Sequence, residues 1–174
     1  AQLVALRPDL RIESIRGNVQ TRLSKLDTGE FNAIVLAQAG LSRLAIERYD
    51  ACPLSVAECL PAPGQGALGI EIITDSPVRA LLEKLSDSRV SRCVEAERGI
   101  SAGLGADCAL PVAAHGVLEA DGDIHLRALV AEADGSRIIR AEAKGGEPAQ
   151  LTQEVVEQLL AQGADGILAN ARRL

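Results

Sequence analysis

The chain of 174 residues is almost free of aromatic side chains, with one Phe, one Tyr and no Trp, and it also has no Met. Modules that bind nucleic acid by stacking bases on aromatic rings are therefore disfavoured. The apolar residues are mainly small or branched aliphatics, among them 28 Ala and 24 Leu. A core built from them must be packed from many short side chains rather than around large aromatic anchors.

Long apolar runs are also missing. No stretch approaches the roughly 18 apolar residues that a membrane span requires. The first residues, AQLV, lack the basic region and long apolar stretch of a secretion signal. These absences predict a soluble, cytoplasmic protein that has no membrane partner.

Metal-binding patterns are absent as well. The chain has four Cys and two His. No pair of cysteines has the C-x-x-C spacing of a zinc ribbon or a thioredoxin-like redox site, and the histidines do not complete a ligand set. No metal is expected, and each cysteine taken alone is expected to be a small buried hydrophobe. The residues concerned are Cys52, Cys59, Cys93, Cys108, His115 and His125.

The net charge of -6 is unevenly distributed. Residues 1–48 contain seven Arg or Lys against five Asp or Glu, whereas the rest of the chain contains eleven against nineteen. Bulk binding to nucleic acid is therefore not expected. A local anion site in the first segment remains compatible with this distribution, because a cleft focuses its own charges.

Strand-like and helix-like segments alternate in the first half of the chain. Apolar patterning predicts strands at residues 11–16, 33–37 and 67–73. Helices are expected from Val19 to Gly29 with Asn18 as N-cap, over 39–48, and from Pro77 to about Leu85. The alternation indicates an α/β layer with right-handed crossovers, and the Pro- and Gly-rich residues 59–66 form a hinge or binding loop.

The second half of the chain has a different character. A helix is expected over residues 88–102, followed by strands at 112–119, 124–132 and 137–144. Asp-Gly pairs at 121–122 and 134–135 turn these strands into an antiparallel meander. Two helices, at 148–162 and 165–173, close the chain. The pattern predicts a small α+β module with a three-stranded antiparallel sheet.

Three arginines lie where an α/β layer usually binds ligands. Arg16 ends the first expected strand, Arg22 lies in the helix that follows, and Arg43 follows the next strand. Ligands collect outside the carboxyl ends of such strands, and guanidinium groups hold carboxylates through paired hydrogen bonds. The alternative is that these arginines pair with acidic residues on a solvated surface; candidates are Asp27, Glu30 and Glu47.

Cys108 lies in a loop, residues 103–111, between a helix and the first meander strand. A thiol on such a loop can reach a cleft and act as a nucleophile once it is deprotonated. The neighbouring Asp107 disfavours the thiolate. An inert loop thiol is therefore the alternative.

Several ordered motifs carry a resemblance to a known family. They are SIRGNV at 14–19, TRLSKL at 21–26, AIVLA at 33–37, AGL at 39–41, PAPGQGALGIE at 61–71, EAER at 95–98, DCALPVA at 107–113 and LRALV at 126–130. Together they resemble porphobilinogen deaminase, also called hydroxymethylbilane synthase, over essentially the whole chain. The resemblance implies a transferase of tetrapyrrole and heme biosynthesis that joins four porphobilinogen units on a dipyrromethane primer and releases ammonia.

The resemblance also implies a set of site residues. Cys108 matches the cysteine that holds the dipyrromethane cofactor through a thioether. Arg16, Arg22 and Arg43 would bind the acetate and propionate groups of these polycarboxylate pyrroles, and Ala37 and Gln65 would line the cleft. Ala106 and Asp107 stand where the family commonly has two glycines. The catalytic aspartate of the family lies in a first domain that has no match here, so no catalytic residue is assigned.

The resemblance divides the chain into three parts. Residues 1–65 correspond to an incomplete second domain with a layer like that of periplasmic binding proteins. Residues 66–86 form a crossover strand and helix toward the first domain, and 87–174 form the complete third domain. The 174 residues alone are expected to be inactive, to carry a free Cys108 and to self-associate through residues 67–73. The full-length family member is expected to be a monomer.

Two alternatives belong to other classes. A noncatalytic anion-binding module would use a similar α/β layer and hinge loop. An interaction domain with an incidental cysteine would need neither the arginines nor the thiol.

Overall fold

The computed structural model describes residues 1–48, 50–106 and 110–173. The first half contains four helices: α1 Gln2–Leu6, α2 Val19–Asp27, α3 Gln38–Arg43 and α4 Arg79–Leu82, the last followed by a 3-10 turn at Glu83–Leu85. The second half contains α5 Ser88–Gly103, β1 Val112–Leu118, β2 Ile124–Ala131, β3 Ile138–Gly145, α6 Pro148–Ala161 and α7 Ala164–Ala171. Within the described residues, no helix has both the length and the apolar character needed to cross a membrane.

The three strands expected in the first half are not formed. Residues 11–16, 33–37 and 67–73 carry no regular secondary structure, so the described residues show no α/β layer like that of periplasmic binding proteins. A segment becomes a strand only when the N–H and C=O groups of a neighbouring strand pair with its own. The described part of the chain provides no such neighbour for these segments.

Helices α2 and α3 begin within one residue of their predicted starts, α4 begins at Arg79 instead of Pro77, and all three are shorter than expected. Helix α2 starts after Asn18, whose side chain accepts a hydrogen bond from the N–H of Thr21. Helix α3 ends at Arg43 instead of continuing to residue 48, because Ala45 adopts a left-handed φ of 50°. The N–H of Ile46 then donates to the carbonyl of Leu41, a hydrogen bond that closes the helix end.

Every strand end in the second half lies within one residue of its predicted position. The strand order is β1-β2-β3, with both pairs antiparallel. Ala114 lies opposite Ala128, which lies opposite Ala141. The small side chains at these facing positions allow helices to approach the sheet closely. The predicted α+β module is confirmed.

The main core lies between one face of this sheet and helices α5, α6 and α7. Ile100 of α5, Leu126 of β2 and Leu159 of α6 have no exposed surface. The opposite face of the sheet carries a smaller cluster in which Leu60 packs with Ala113, Leu129 and Ala131. This second cluster attaches the segment from Val56 to Leu60 to the α+β module.

Candidate functional site

A tight turn places two of the predicted arginines next to the start of α2. Gly17 has φ 117°, and a Cβ added to it would lie 2.8 Å from Cγ2 of Thr21, so a side chain is excluded there. From the first turn of α2, Nε of Arg22 donates back to the carbonyl of Gly17 over 2.8 Å. Arg22 is half-buried, whereas Arg16 is exposed at the other end of the turn.

The start of α3 lies against the start of α2. Cγ2 of Val19 is 3.7 Å from the position that a Cβ on Gly40 would take. Ala37, one of the predicted cleft residues, is the N-cap of α3, is exposed and lacks a side-chain cap. Two helix starts therefore meet at one place.

The Pro- and Gly-rich loop lies beside this junction. Arg43 donates through Nη2 to the carbonyl of Gly66 over 2.7 Å. A Cβ on Gly66 would lie 3.6 Å from Cβ of Ala39. Gln65, the remaining cleft residue, stands exposed between Gly64 and Gly66, both of which have positive φ. The structure thus brings Arg43, Ala37 and Gln65 to the same junction, which Arg22 adjoins.

Glu97 connects this loop to the second half of the chain. Its side chain is 6% exposed, and its two oxygens accept hydrogen bonds from the N–H of Gly64 over 2.7 Å and of Gly116 over 2.8 Å. The N–H of Ala114 also donates to the carbonyl of Pro61 over 3.0 Å. These three bonds fix the loop with respect to α5 and β1.

Glu97 received no role from the sequence, although a signal was present. It lies four residues after Cys93 and three before Ile100, on the face of α5 that packs against the sheet. A carboxylate in an apolar helical stripe must find hydrogen-bond donors, because its burial without them is costly. That pattern points to a structural anchor.

Cys108 lies outside the described residues, as do Asp107 and Ala109, and its predicted position in the cleft stays a prediction. The described residues on either side are held by hydrogen bonds. Arg172 donates to the carbonyl of Gly105 over 2.8 Å, and the N–H of Ala131 donates to the carbonyl of Pro111 over 3.1 Å.

The other cysteines differ in their surroundings. Cys52 is exposed, and Cys59 and Cys93 are half-buried. Burial raises the pKa of the Cys93 thiol, and the negative charge of Glu97 raises it further. A raised pKa keeps the thiol protonated at neutral pH, which makes Cys93 a poor nucleophile.

Comparisons with known proteins agree with the motifs. Residues 1–80 match the family model described as "Porphobilinogen deaminase, dipyromethane cofactor binding domain", and residues 91–161 match "Porphobilinogen deaminase, C-terminal domain". The porphobilinogen deaminase of Bordetella parapertussis is 46% identical over 97% of this chain and 54% of its own length. That of Acidithiobacillus ferrooxidans is 46% identical over 99% and 56%, respectively.

The chain spans about half the length of the curated relatives it matches. Both family models match in the order and at the positions of the quoted motifs. The chain belongs to the porphobilinogen deaminase family.

Proposed function

We propose that this chain forms part of a hydroxymethylbilane synthase, a transferase that joins four porphobilinogen units head to tail and releases ammonia. The observation that carries this proposal is the junction of α2, α3 and the loop at residues 61–66. Arg22 and Arg43 each contact a backbone carbonyl at its edge. Glu97 connects the same loop to α5, which precedes Cys108 in the chain, and to β1, which follows it.

The residues present fit a polycarboxylate pyrrole. Arg22 and Arg43 each use one nitrogen on a backbone carbonyl, which orients the guanidinium and leaves other N–H groups for carboxylates. Arg16 is exposed beside Gly17 and adds a third positive charge. Acetate and propionate groups are the chemical complement of these donors.

Cys108 is the proposed point of attachment for dipyrromethane, which, when bound, supplies the end on which the pyrrole chain is built. Arg16, Arg22 and Arg43 orient its carboxylates and those of incoming units. Ala37 and Gln65 line the space between them. Their small or neutral side chains add no charge that would compete with the arginines.

The finer fold is part of the same proposal. Residues 11–16, 33–37 and 67–73 become strands of an α/β layer like that of periplasmic binding proteins when neighbouring strands are available. Residues 1–65 then belong to the second domain of the enzyme, 66–86 cross toward the first, and 87–174 form the third. The apolar composition of residues 33–37 supports a position inside such a layer.

The proposal includes the setting of the whole enzyme. Its partners are small polycarboxylate pyrroles rather than nucleic acid or membrane, and it acts as a cytoplasmic monomer. The catalytic aspartate is expected in the first domain, so residues 1–174 alone are expected to show no turnover. Intact-mass measurement of the 174-residue chain is expected to find a free Cys108.

The test uses a complete porphobilinogen deaminase that includes these 174 residues. Mass spectrometry is expected to find a dipyrrole adduct on Cys108, and Cys108→Ser is expected to abolish both the adduct and the turnover of porphobilinogen. Arg22→Gln and Arg43→Gln are each expected to lower turnover about tenfold or more, since each removes a charge-assisted contact.

Arg89→Gln is the matched control, because Arg89 is exposed on α5 and lies outside the proposed site. Its turnover is expected to equal that of the unmodified enzyme. Full activity of Cys108→Ser would contradict the proposal. Retained binding of porphobilinogen without any turnover in the unmodified protein would match the anion-binding module instead.

A further inference from the structure

A pocket lies on the face of the sheet opposite the main core, with Gln158 of α6 and Gln2 of α1 also in its lining. It is bounded by β2 and β3 on one side and by Val56, Ala57 and Leu60 on the other, and its volume is about 480 Å³. Pockets that bind small organic molecules commonly measure about 300–1,000 Å³. The size is therefore suitable for a compact organic ligand.

One wall of the pocket is held in place by a reciprocal pair of hydrogen bonds. Nε2 of Gln2 donates to the carbonyl of Leu60, and the N–H of Leu60 donates to Oε1 of Gln2, both over 2.8 Å. Leu60 and Leu129 are 8% and 2% exposed. The pocket thus has an anchored wall and an apolar surface against which the body of a ligand can pack.

The sheet contributes two positive charges to the same pocket. Arg127 of β2 lies opposite Glu142 of β3, and Arg140 lies two residues before Glu142 on the same face. Diagonal neighbours of this kind are about 7–8 Å apart, with their Cβ atoms somewhat closer. Both arginines therefore line the same part of the pocket as Leu60 and Leu129.

Neither arginine forms a salt bridge among the residues that the structure describes, although Glu142 lies opposite Arg127 in the same pocket wall. Glu142, the acidic residue in the pocket wall, directs Oε2 to Nε2 of His125 at 3.0 Å instead. Nε of Arg127 is buried and has no hydrogen-bond partner among the described residues. Nδ1 of His115, on the residue opposite Arg127 in β1, is the other buried side-chain nitrogen without a partner among these residues. The terminal nitrogens of Arg127, rather than its buried Nε, are therefore the donors that a ligand can reach.

We propose that this pocket binds a small organic dicarboxylate, with one carboxylate on Arg127, the other on Arg140, and the body of the molecule against Leu60 and Leu129. A dicarboxylate offers one carboxylate to each guanidinium group and an organic body to the apolar wall, whereas a phosphate ion has no apolar body. A neutral ligand would leave both charges unpaired. The inference does not depend on the proposed function, because the pocket shares no residue with α2, α3 or residues 61–66.

The test is calorimetric titration of the whole 174-residue chain with benzene-1,3-dicarboxylate. The dicarboxylate is expected to bind, and the neutral benzene-1,3-dicarboxamide is not. The Arg127→Gln/Arg140→Gln variant is expected to bind at least about tenfold more weakly, because both charge-assisted contacts are lost. Arg89→Gln, which removes one exposed positive charge from α5, is expected to bind as the unmodified chain does.

Two further measurements locate the binding. Amide NMR shifts are expected to change along β2 and β3 and around Leu60. An Arg22→Gln/Arg43→Gln variant is expected to keep this binding, which separates the pocket from the proposed pyrrole site. Circular dichroism checks that each variant is folded.

Binding that is equal in the Arg127→Gln/Arg140→Gln variant would overturn the inference. So would shifts confined to the junction of α2 and α3, binding of the diamide with equal affinity, or no binding to the unmodified chain.

Discussion

The buried carboxylate of Glu97 accepts a 2.7 Å hydrogen bond from the N–H of Gly64, 33 residues earlier in the chain. Its second oxygen accepts from the N–H of Gly116 in β1. One side chain therefore connects the loop of the candidate site, helix α5 and the sheet. The position of that loop depends on a residue that does not belong to the predicted arginine set.

Replacing Glu97 with Gln is expected to destabilise the protein. An amide has one accepting oxygen, so the N–H of Gly64 or of Gly116 loses its partner. A buried unsatisfied donor costs about 1–3 kcal/mol. Urea denaturation followed by circular dichroism measures the change in the free energy of unfolding.

Glu95→Gln is the control for this change, because Glu95 is exposed on the same helix. Its effect is expected to stay within about 0.5 kcal/mol, as is usual for surface substitutions. Equal effects of the two substitutions would show that the bonds of Glu97 contribute nothing to stability.

The close contact between α5 and α6 gives a second prediction. A Cβ on Gly99 would lie 2.6 Å from Oγ1 of Thr152, which itself donates to the carbonyl of Ala96. Gly99→Ala is therefore expected to cost about 1–3 kcal/mol, as overpacked cores do. Thermal and urea unfolding both measure it.

Gly166→Ala is the matched control, since Gly166 lies in α7 and a Cβ there would meet nothing within 4 Å. Alanine favours a helix over glycine by up to about 1 kcal/mol, so this substitution is expected to stabilise the protein slightly. Destabilisation by Gly166→Ala, or none by Gly99→Ala, would contradict the contact.

The second half of the chain could be predicted because its signals are local. Successive side chains of β1 to β3 point to alternate faces of the sheet, and Asp-Gly pairs mark the turns between the strands. The strands also follow one another directly, so each finds its partner within a few residues. Local pattern and tertiary pairing therefore agree.

The first half could be predicted only for its helices. A helix satisfies its own backbone, so Asn18 and Gly29 were enough to place both ends of α2. The apolar pattern of residues 33–37 predicts a buried strand, but a strand depends on a distant partner that the local pattern does not reveal. Val35 is instead 58% exposed.

The positions of the candidate residues follow from local signals, although their roles stay predictions. Arg22, Ala37 and Arg43 lie in or beside short helices and Gln65 lies in the loop, where pattern and motif locate them. Glu97 was missed because its role arises from Gly64 and Gly116, which are remote in sequence. The proposed cofactor cysteine stays a prediction.

The pH dependence of stability is expected to report on His115. Burial lowers the pKa of His115 below its ordinary 6.5, with Glu97 opposing and Arg127 assisting the shift. The unfolded state then binds a proton more readily than the folded state. Stability due to this residue is fully present above the ordinary pKa and is lost as the pH falls through 6.5 toward the lower folded value.

The measurement is the free energy of unfolding between about pH 5.5 and pH 7.5 for the unmodified chain and for His115→Gln. The variant is expected to lose less stability on acidification. His125→Gln, on the same face of the sheet, is the control and is expected to keep the contribution of His115. Identical slopes for His115→Gln and the unmodified chain would rule out this effect.

Residues 67–73 give the last prediction, which concerns association. Leu68, Ile70 and Ile73 are 75%, 57% and 77% exposed, and the segment has no strand partner in the described residues. A segment with exposed apolar side chains and unpaired backbone N–H and C=O groups pairs readily with another chain. The 174-residue chain is therefore expected to self-associate as its concentration rises, which sedimentation velocity measures.

Ile70→Lys is expected to weaken this association, because a charge on an edge opposes pairing with a second copy. Leu85→Lys, at a position that is 71% exposed but outside the segment, supplies the control with the same gain of charge. A chain that stays monomeric at every concentration would contradict the prediction. Equal weakening by both substitutions would assign the effect to net charge, because only pairing through residues 67–73 makes the position of the lysine matter.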